Sequence, residues 1–495
     1  MMYGEEKSDS LIVAANLANN PQGAESVERR SGAKGNAEQP HMRRTQSRES
    51  MSQRLSRVRE AAKQRKKERF TALFHLLTAE ALENAFLSLS RKAAAGVDGV
   101  RWKDYAENLK VNIADLHRRL HQGSYRAQPG RRHYIPKADG KQRPLGIASL
   151  EDKIVQYALV KILNAVYEND FMGFSYGFRP GRSQHNALDA LATGLVRTNV
   201  NWVLDADISQ FFDKLSHEWL IRFIEHRIGD QRVIRLIRKW LTAGTSEEGE
   251  WRASEEGTPQ GAVISPLLAN IYLHYVFDLW AHQWRRRHAT GNVVMVRYAD
   301  DIVIGFDKRI DAQCFRIAMQ RRLKEFGLTV HPKKTRLMEF GRFAAENRAS
   351  RGKGKPETFN FLGFTHISGK DRSGRFMLIR KTRRDRMTAT LKAIKDGLRK
   401  RWHYSIPEQG KWLRRVVQGY LNYHSVPGNY PMMRKFRIYV TDLWRRALRR
   451  RSQQDDTTWT KANRLAAVWL PKVRVLHPWP VERFTARHPR QEPGA

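Results

Sequence analysis

In the stretch Val293-Val294-Met295-Val296-Arg297-Tyr298-Ala299-Asp300-Asp301-Ile302-Val303-Ile304-Gly305-Phe306, two apolar, largely β-branched runs flank a short polar break. Such runs read as a strand–turn–strand hairpin with Tyr298 to Asp301 at its tip. Adjacent carboxylates there repel each other unless a cation neutralises them, and their hard oxygens suit Mg²⁺ or Mn²⁺. A bare Asp-Asp pair is more often a solvated turn, because Asp is a favoured turn residue. The metal reading therefore needs a further carboxylate on another strand.

Asn201-Trp202-Val203-Leu204-Asp205-Ala206-Asp207-Ile208-Ser209-Gln210-Phe211-Phe212-Asp213 supplies it. Trp202 to Ile208 has strand character, so the two-residue period puts Asp205 and Asp207 on one face. Two acids among apolar neighbours are costly without a cation. Asp213 lies past the strand and reads as a cap or turn residue. Asp207, Asp300 and Asp301, from two segments, meet the demand of two-metal phosphoryl transfer, in which the protein mainly positions and neutralises. No Ser/His/Asp triad is apparent.

Working outward, Gly257-Thr258-Pro259-Gln260-Gly261 reads as a loop in which Gly261 permits close approach of a ligand. Ser265 then reads as an N-cap, with Pro266 opening an apolar helix. Glu151 to Glu168 reads as a helix with an apolar stripe. The aromatic and Arg-rich segment Phe174 to Ser183 has two readings: a loop that stacks on bases and grips phosphates through Arg179 and Arg182, or a turn whose aromatics plug the core. Tyr134 to Ile147 reads as a β-hairpin around Ala138-Asp139-Gly140-Lys141. Lys137 and Arg143 on its limbs are either a triphosphate clamp or ordinary exposed strand charges.

The composition narrows the class. Ninety Lys and Arg against 50 Asp and Glu give 495 residues a formal charge of +40, which calls for a polyanion, nucleic acid before membrane. No apolar run reaches the ~18 residues of a transmembrane helix. The single cysteine, Cys314, excludes an intrachain disulfide framework or a multi-Cys zinc module and fits a reducing compartment. Glu5, Glu6 and Asp9 argue against a secretory signal. Residues 1 to about 50 lack an apolar period. The basic run Arg54 to Arg69 predicts a helix continuing through Phe70 to Leu77. Gly341 to Glu357 reads as a loop. From residue 386 three amphipathic helices predict a basic bundle, with Arg445, Arg446 and Arg449 in its densest cluster.

Taken together, Leu204 to Asp213, Gly257 to Pro266 and Tyr298-Ala299-Asp300-Asp301 resemble motifs A, B and C of reverse transcriptases. Ser175 to Ser183 and Phe361-Leu362-Gly363-Phe364 resemble the group II intron-encoded branch, and Gln418 to Tyr423 is similar to its maturase-specific domain X. The likeness runs in order over about residues 70 to 450.

The resemblance implies an α+β right-hand polymerase fold. Residues 1–53 would be a disordered polar segment, 54–200 fingers, 201–385 a palm with an antiparallel sheet, 386–452 a helical thumb or domain X, and 453–495 a basic extension for DNA. It implies that Asp207, Asp300 and Asp301 hold two Mg²⁺ ions, with Mn²⁺ as a substitute. Phe212 would reject a ribose 2′-hydroxyl; Gln260 and Ile208 would touch the incoming dNTP; Lys137 and Arg143 would clamp its phosphates. Lys334 would protonate pyrophosphate, with Lys333 as its rival. Arg179, Arg182, Arg445, Arg446 and Arg449 are expected on RNA. The implied activity is RNA-directed DNA synthesis on an RNA template with a DNA primer, joined to binding of the host group II intron RNA for splicing and retrohoming into target DNA. A maturase without polymerase activity is the alternative, and bulky Phe212 opposes an RNA polymerase. One cysteine predicts that the paired-cysteine HNH nuclease of many members is missing. The expected location is the bacterial cytoplasm, at the nucleoid, with no membrane partner.

Overall fold

The computed structural model describes residues 50–136, 142–247, 249–451 and 457–487. Along the chain the strands are β1 (Gly130–Pro136), β2 (Gln142–Ile147), β3 (Trp202–Asp207), β4 (Thr245–Glu247), β5 (Glu250–Arg252), β6 (Val293–Tyr298), β7 (Asp301–Phe306), β8 (Arg336–Glu339), β9 (Phe359–Phe361), β10 (Phe364–Lys370) and β11 (Phe376–Thr382). They form three sheets, ordered β2-β1-β4-β5, β6-β7-β3-β8 and β11-β10-β9, among helices that lie mostly in separate runs. The architecture is α+β.

The β6-β7-β3-β8 sheet is antiparallel throughout. Its strands alternate between two cores. Leu204, Ala206, Met295, Ile302 and Ile304 face a large helical core, while Val203, Val296, Val303 and Met338 face a second, smaller one. Burial on both faces explains why β7 reads as a nearly continuous apolar run rather than an alternating one. Asp205, Asp207 and Asp301 share the parity of the second face, Asp207 and Asp301 at the end of the sheet that carries the β6–β7 turn.

The helix Leu150–Tyr167 is buried on most of its circumference, and Ser149 caps it by accepting from Asp152 N. The helices Arg384–Arg399, Ile406–His424 and Tyr430–Arg449 enclose a third core around Ile394, Leu413, Val417, Phe436, Val440 and Trp444. A capping box between Ser405 and Glu408 fixes the start of the middle one.

Three expectations need correction. The basic helix spans Met51–Gln64 and does not continue to Leu77. Buried Arg227 accounts for the break, because its guanidinium donates to the carbonyls of Ala62 and Arg65, while Asp230 accepts from Leu73 N and Phe74 N. Ser265 is not the N-cap of its helix; it is the first helical residue, and its hydroxyl donates to Pro259 O at 3.0 Å. The 341–357 loop contains a short helix, Ala344–Ala349. No helix among the described residues is long and apolar enough to cross a membrane.

Candidate active site

The acidic tip is a two-residue turn. Tyr298 pairs with Asp301, leaving Ala299 and Asp300 between the strands, and Ala299 has φ +54°. A left-handed backbone costs a non-glycine residue roughly 1–2 kcal/mol, so its surroundings must hold it. They do so through Arg297, which is wholly buried. Its guanidinium clasps buried Asp278 through Nε and Nη2 at 2.7 and 2.6 Å. It also donates to Ser175 Oγ at 2.7 Å, Asn270 Oδ1 at 3.2 Å and, closing the turn, Ala299 O at 2.9 Å. Asp278 ends a π-helical segment, His274–Asp278, a local irregularity common at functional sites.

The Phe174–Ser183 loop packs beneath the same turn. Tyr176 N donates to Arg297 O, and Arg297 N to Phe174 O, both at 2.8 Å. Gly177 approaches so closely that a Cβ there would stand 2.3 Å from Ala299 N. Asn270 Nδ2 holds the Gly177 carbonyl at 2.7 Å.

The strand register brings the acids together. Asp207 on β3 is the direct cross-strand partner of Asp301 on β7. Side chains so paired have Cβ atoms about 4.5–5.5 Å apart, within reach of a shared cation. Among the described residues no three His, Cys, Asp or Glu side chains converge as a ready-made metal site. Lys334 Nζ instead donates to Asp207 Oδ2 at 2.8 Å, which with the nearby acids raises the Lys334 pKa. Of the two candidate lysines, Lys334 is the one that meets the acids. The Asp301 carboxyl is pushed up to about 8, first by desolvation and then by the charges of Asp300, Asp207 and Asp205. The like charges act on Asp301 even where it meets solvent at its strand end. Desolvation likewise lifts Asp205 to about 6, against the pull of Arg336. An oxygen-only, mutually repelling donor set of this kind fits a hard divalent cation.

These acids floor a cleft of about 880 Å³. Phe212 and Gln260 line it, as does Arg143 on β2. Phe211 is buried while its neighbour Phe212 keeps a partly exposed ring. Gln260 Nε2 donates to Asp213 Oδ1 at 3.1 Å, and Gly146 N to Gln260 O at 2.7 Å. Gly261 does allow a close approach, though to chain rather than ligand: a Cβ there would lie 2.8 Å from Gly146 O. Gln184, His331, Leu362, Arg383 and Arg386 also line the cleft, and sequence reading did not place them there. Helical or strand periodicity carries no signal for side chains that converge from four separate segments.

Other expectations need revision. Arg179 is buried and cannot grip RNA; it is bound to Glu168 at 2.9 Å and to the carbonyls of Met172 and Ser175. Arg182 donates to Ser175 O at 2.9 Å and lies over the Tyr176 ring, so the loop plugs the core. Ile208 buries its side chain, leaving only backbone toward the cleft. Arg445 is half-buried against Asp442 and Trp459, whereas Arg446 and Arg449 are exposed. Lys137 lies outside the described residues. The tail folds back: His477 Nε2 donates to Asn422 O at 2.7 Å, Arg483 pairs with Asp189, and Trp479 stays exposed.

Carboxylates on adjacent antiparallel strands thus stand at the floor of a wide cleft, beside a partly exposed aromatic. Residues 135–366 match the family described as Reverse transcriptase (RNA-dependent DNA polymerase). The chain is 43% identical to Protein YkfC of Escherichia coli over 206 residues, 41% of this chain and 54% of that protein. It is 37% identical to Group II intron-encoded protein LtrA of Lactococcus lactis over 223 residues, 44% of this chain and 37% of that protein. A Putative COX1/OXI3 intron 1 protein of Saccharomyces cerevisiae is 26% identical over 393 residues, 66% of this chain and 46% of that protein. Over residues 135–366 the chain is thus similar to reverse transcriptases, and over less than half of its length to a group II intron-encoded protein. The match spans about half the length of the Escherichia coli relative.

Proposed function

We propose that this protein is an RNA-directed DNA polymerase of the right-hand type that also binds its host group II intron RNA, promoting splicing and retrohoming. The pairing of Asp207 with Asp301 across β3 and β7, beside Phe212, carries the reading. On it, residues 54–200 act as fingers, 201–385 as palm, and 386–452 as thumb or domain X; 453–495 is an extension for target DNA. Exposed Arg446 and Arg449 and the charge of +40 suit the RNA. Work at the bacterial nucleoid follows.

Asp207, Asp300 and Asp301 would hold two Mg²⁺ ions, or Mn²⁺. When bound, such ions lower the pKa of the attacking 3′-hydroxyl and neutralise the departing pyrophosphate. The chain supplies the rest. Phe212 closes the space a ribose 2′-hydroxyl would need, and Gln260, steadied by Asp213, orients the dNTP. Arg143 steadies its phosphates, and Lys334 stands ready to release Asp207 and give a proton to pyrophosphate.

Extension of an oligo(dT) primer on poly(rA) tests this. Product from dTTP and not from UTP supports the reading. No product from either favours a maturase without polymerase activity, and preference for UTP an RNA polymerase.

A further inference from the structure

Among the described residues, the proposed sugar gate Phe212 meets the rings of Phe211 and Phe178. Phe211 lies 5.3 Å away at 62°, buried in the core. The other is Phe178, 6.4 Å away and edge-on at 75°, which also reaches Tyr298 at 6.5 Å. Phe178 sits in a backbone conformation that bulky residues rarely adopt, φ +57°. The chain around it is tied down, by Gly177 against the Ala299 turn, the Asn270 bond to Gly177 O and the Tyr176 bond to Arg297 O. A strained bulky residue persists where its surroundings over-determine it, and such positions cluster at functional sites.

We propose that Phe178 is a positioning residue for sugar selectivity, its ring buttressing Phe212 on the side that Phe211 does not cover. The inference rests on the reading of Phe212 given above. One loop then sets both halves of the site, because the segment that abuts the Ala299–Asp300 turn also carries the ring that backs the gate. Without that ring, Phe212 gains a vacant side to swing into, and a ribose 2′-hydroxyl meets a softer wall. The loop resembling an RNA grip in sequence would act instead on the choice of sugar.

The test compares dTTP and UTP incorporation, as ratios of kcat/KM, in full-length protein. Phe178→Gly removes the ring and suits the left-handed backbone; Phe178→Leu keeps apolar bulk and decides the matter should the glycine variant not fold. Each should raise relative UTP use by about three- to tenfold, the scale of one lost aromatic contact, with Phe178→Tyr close to wild type. Phe212→Ala should raise it further, and adding Phe178→Gly to Phe212→Ala should change the ratio no more. If Phe212→Ala relaxes selectivity while the Phe178 variants keep the wild-type ratio, the buttress is refuted and the gate stands. If Phe212→Ala itself leaves the ratio unchanged, the gate reading fails. Equal, additive effects of the two residues would refute their coupling.

Discussion

Replacing Arg297 by Met removes the clasp that holds the acidic turn, and two consequences should separate. Asp278 is left charged, buried and unpaired, a loss that costs roughly 3–5 kcal/mol. That is a large part of the roughly 5–15 kcal/mol by which domains are stable. Adding Asp278→Leu removes the stranded charge, so most of the stability should return, since an apolar pair often replaces a buried ion pair at little cost. Activity should not return. The Ala299 carbonyl and Ser175 hydroxyl still lack their donor, at about 1 kcal/mol each, and the turn is free to shift. A displacement of about 1 Å at a reacting centre costs on the order of 100-fold in rate. Urea denaturation and single-turnover dTTP incorporation read the two effects independently. A double variant with wild-type turnover would refute the reasoning, for Arg297 would then merely neutralise Asp278. A single variant losing less than about 1 kcal/mol would refute it as well.

Asp300→Ala should abolish primer extension while intron RNA binding stays nearly intact; an equal fall in binding would mean that the acids and the RNA surface are not separate. Acid should destabilise the fold through its buried histidines. Desolvation, reinforced by His477, Arg483 and Arg380, holds the His185 ring down to about 3, and burial does the same to His366 and His424. With folded pKa values below the unfolded ~6.5, their contribution is intact above that pH and is lost as pH falls toward 3. His185→Phe should therefore flatten the decline in urea stability between about pH 6.5 and 4, and an unchanged slope would refute it. Arg446→Ala with Arg449→Ala should reduce the slope of log K against log salt for intron RNA by about one to two, near 0.7–0.9 per lost phosphate contact. A parallel shift in affinity with no change of slope would place these residues off the RNA.

What the sequence made legible was whatever has a short period. The β6–β7 hairpin, the parity of Asp205 and Asp207, and the three C-terminal helices follow from spacings of two or of three to four residues. Misreadings concentrate in arginine. Arg179 read as a grip on RNA, and Arg227 and Arg297 carried no reading of their own, yet all three are buried and bound to carboxylates on other segments. No local pattern distinguishes a guanidinium that meets solvent from one that ties segments together. The break after Gln64 has the same origin, since the carbonyls that Arg227 collects are more than 150 residues away. Phe178 was legible as an aromatic in a loop, but its left-handed backbone and its neighbour Phe212 were not.

Mn²⁺ binding tests the centre of the account most directly. With a dideoxy-terminated primer on an RNA template and dTTP present, electron paramagnetic resonance should count two Mn²⁺ per chain, and Asp207→Asn or Asp301→Asn should lose that binding. Undiminished Mn²⁺ occupancy in both variants would contradict it.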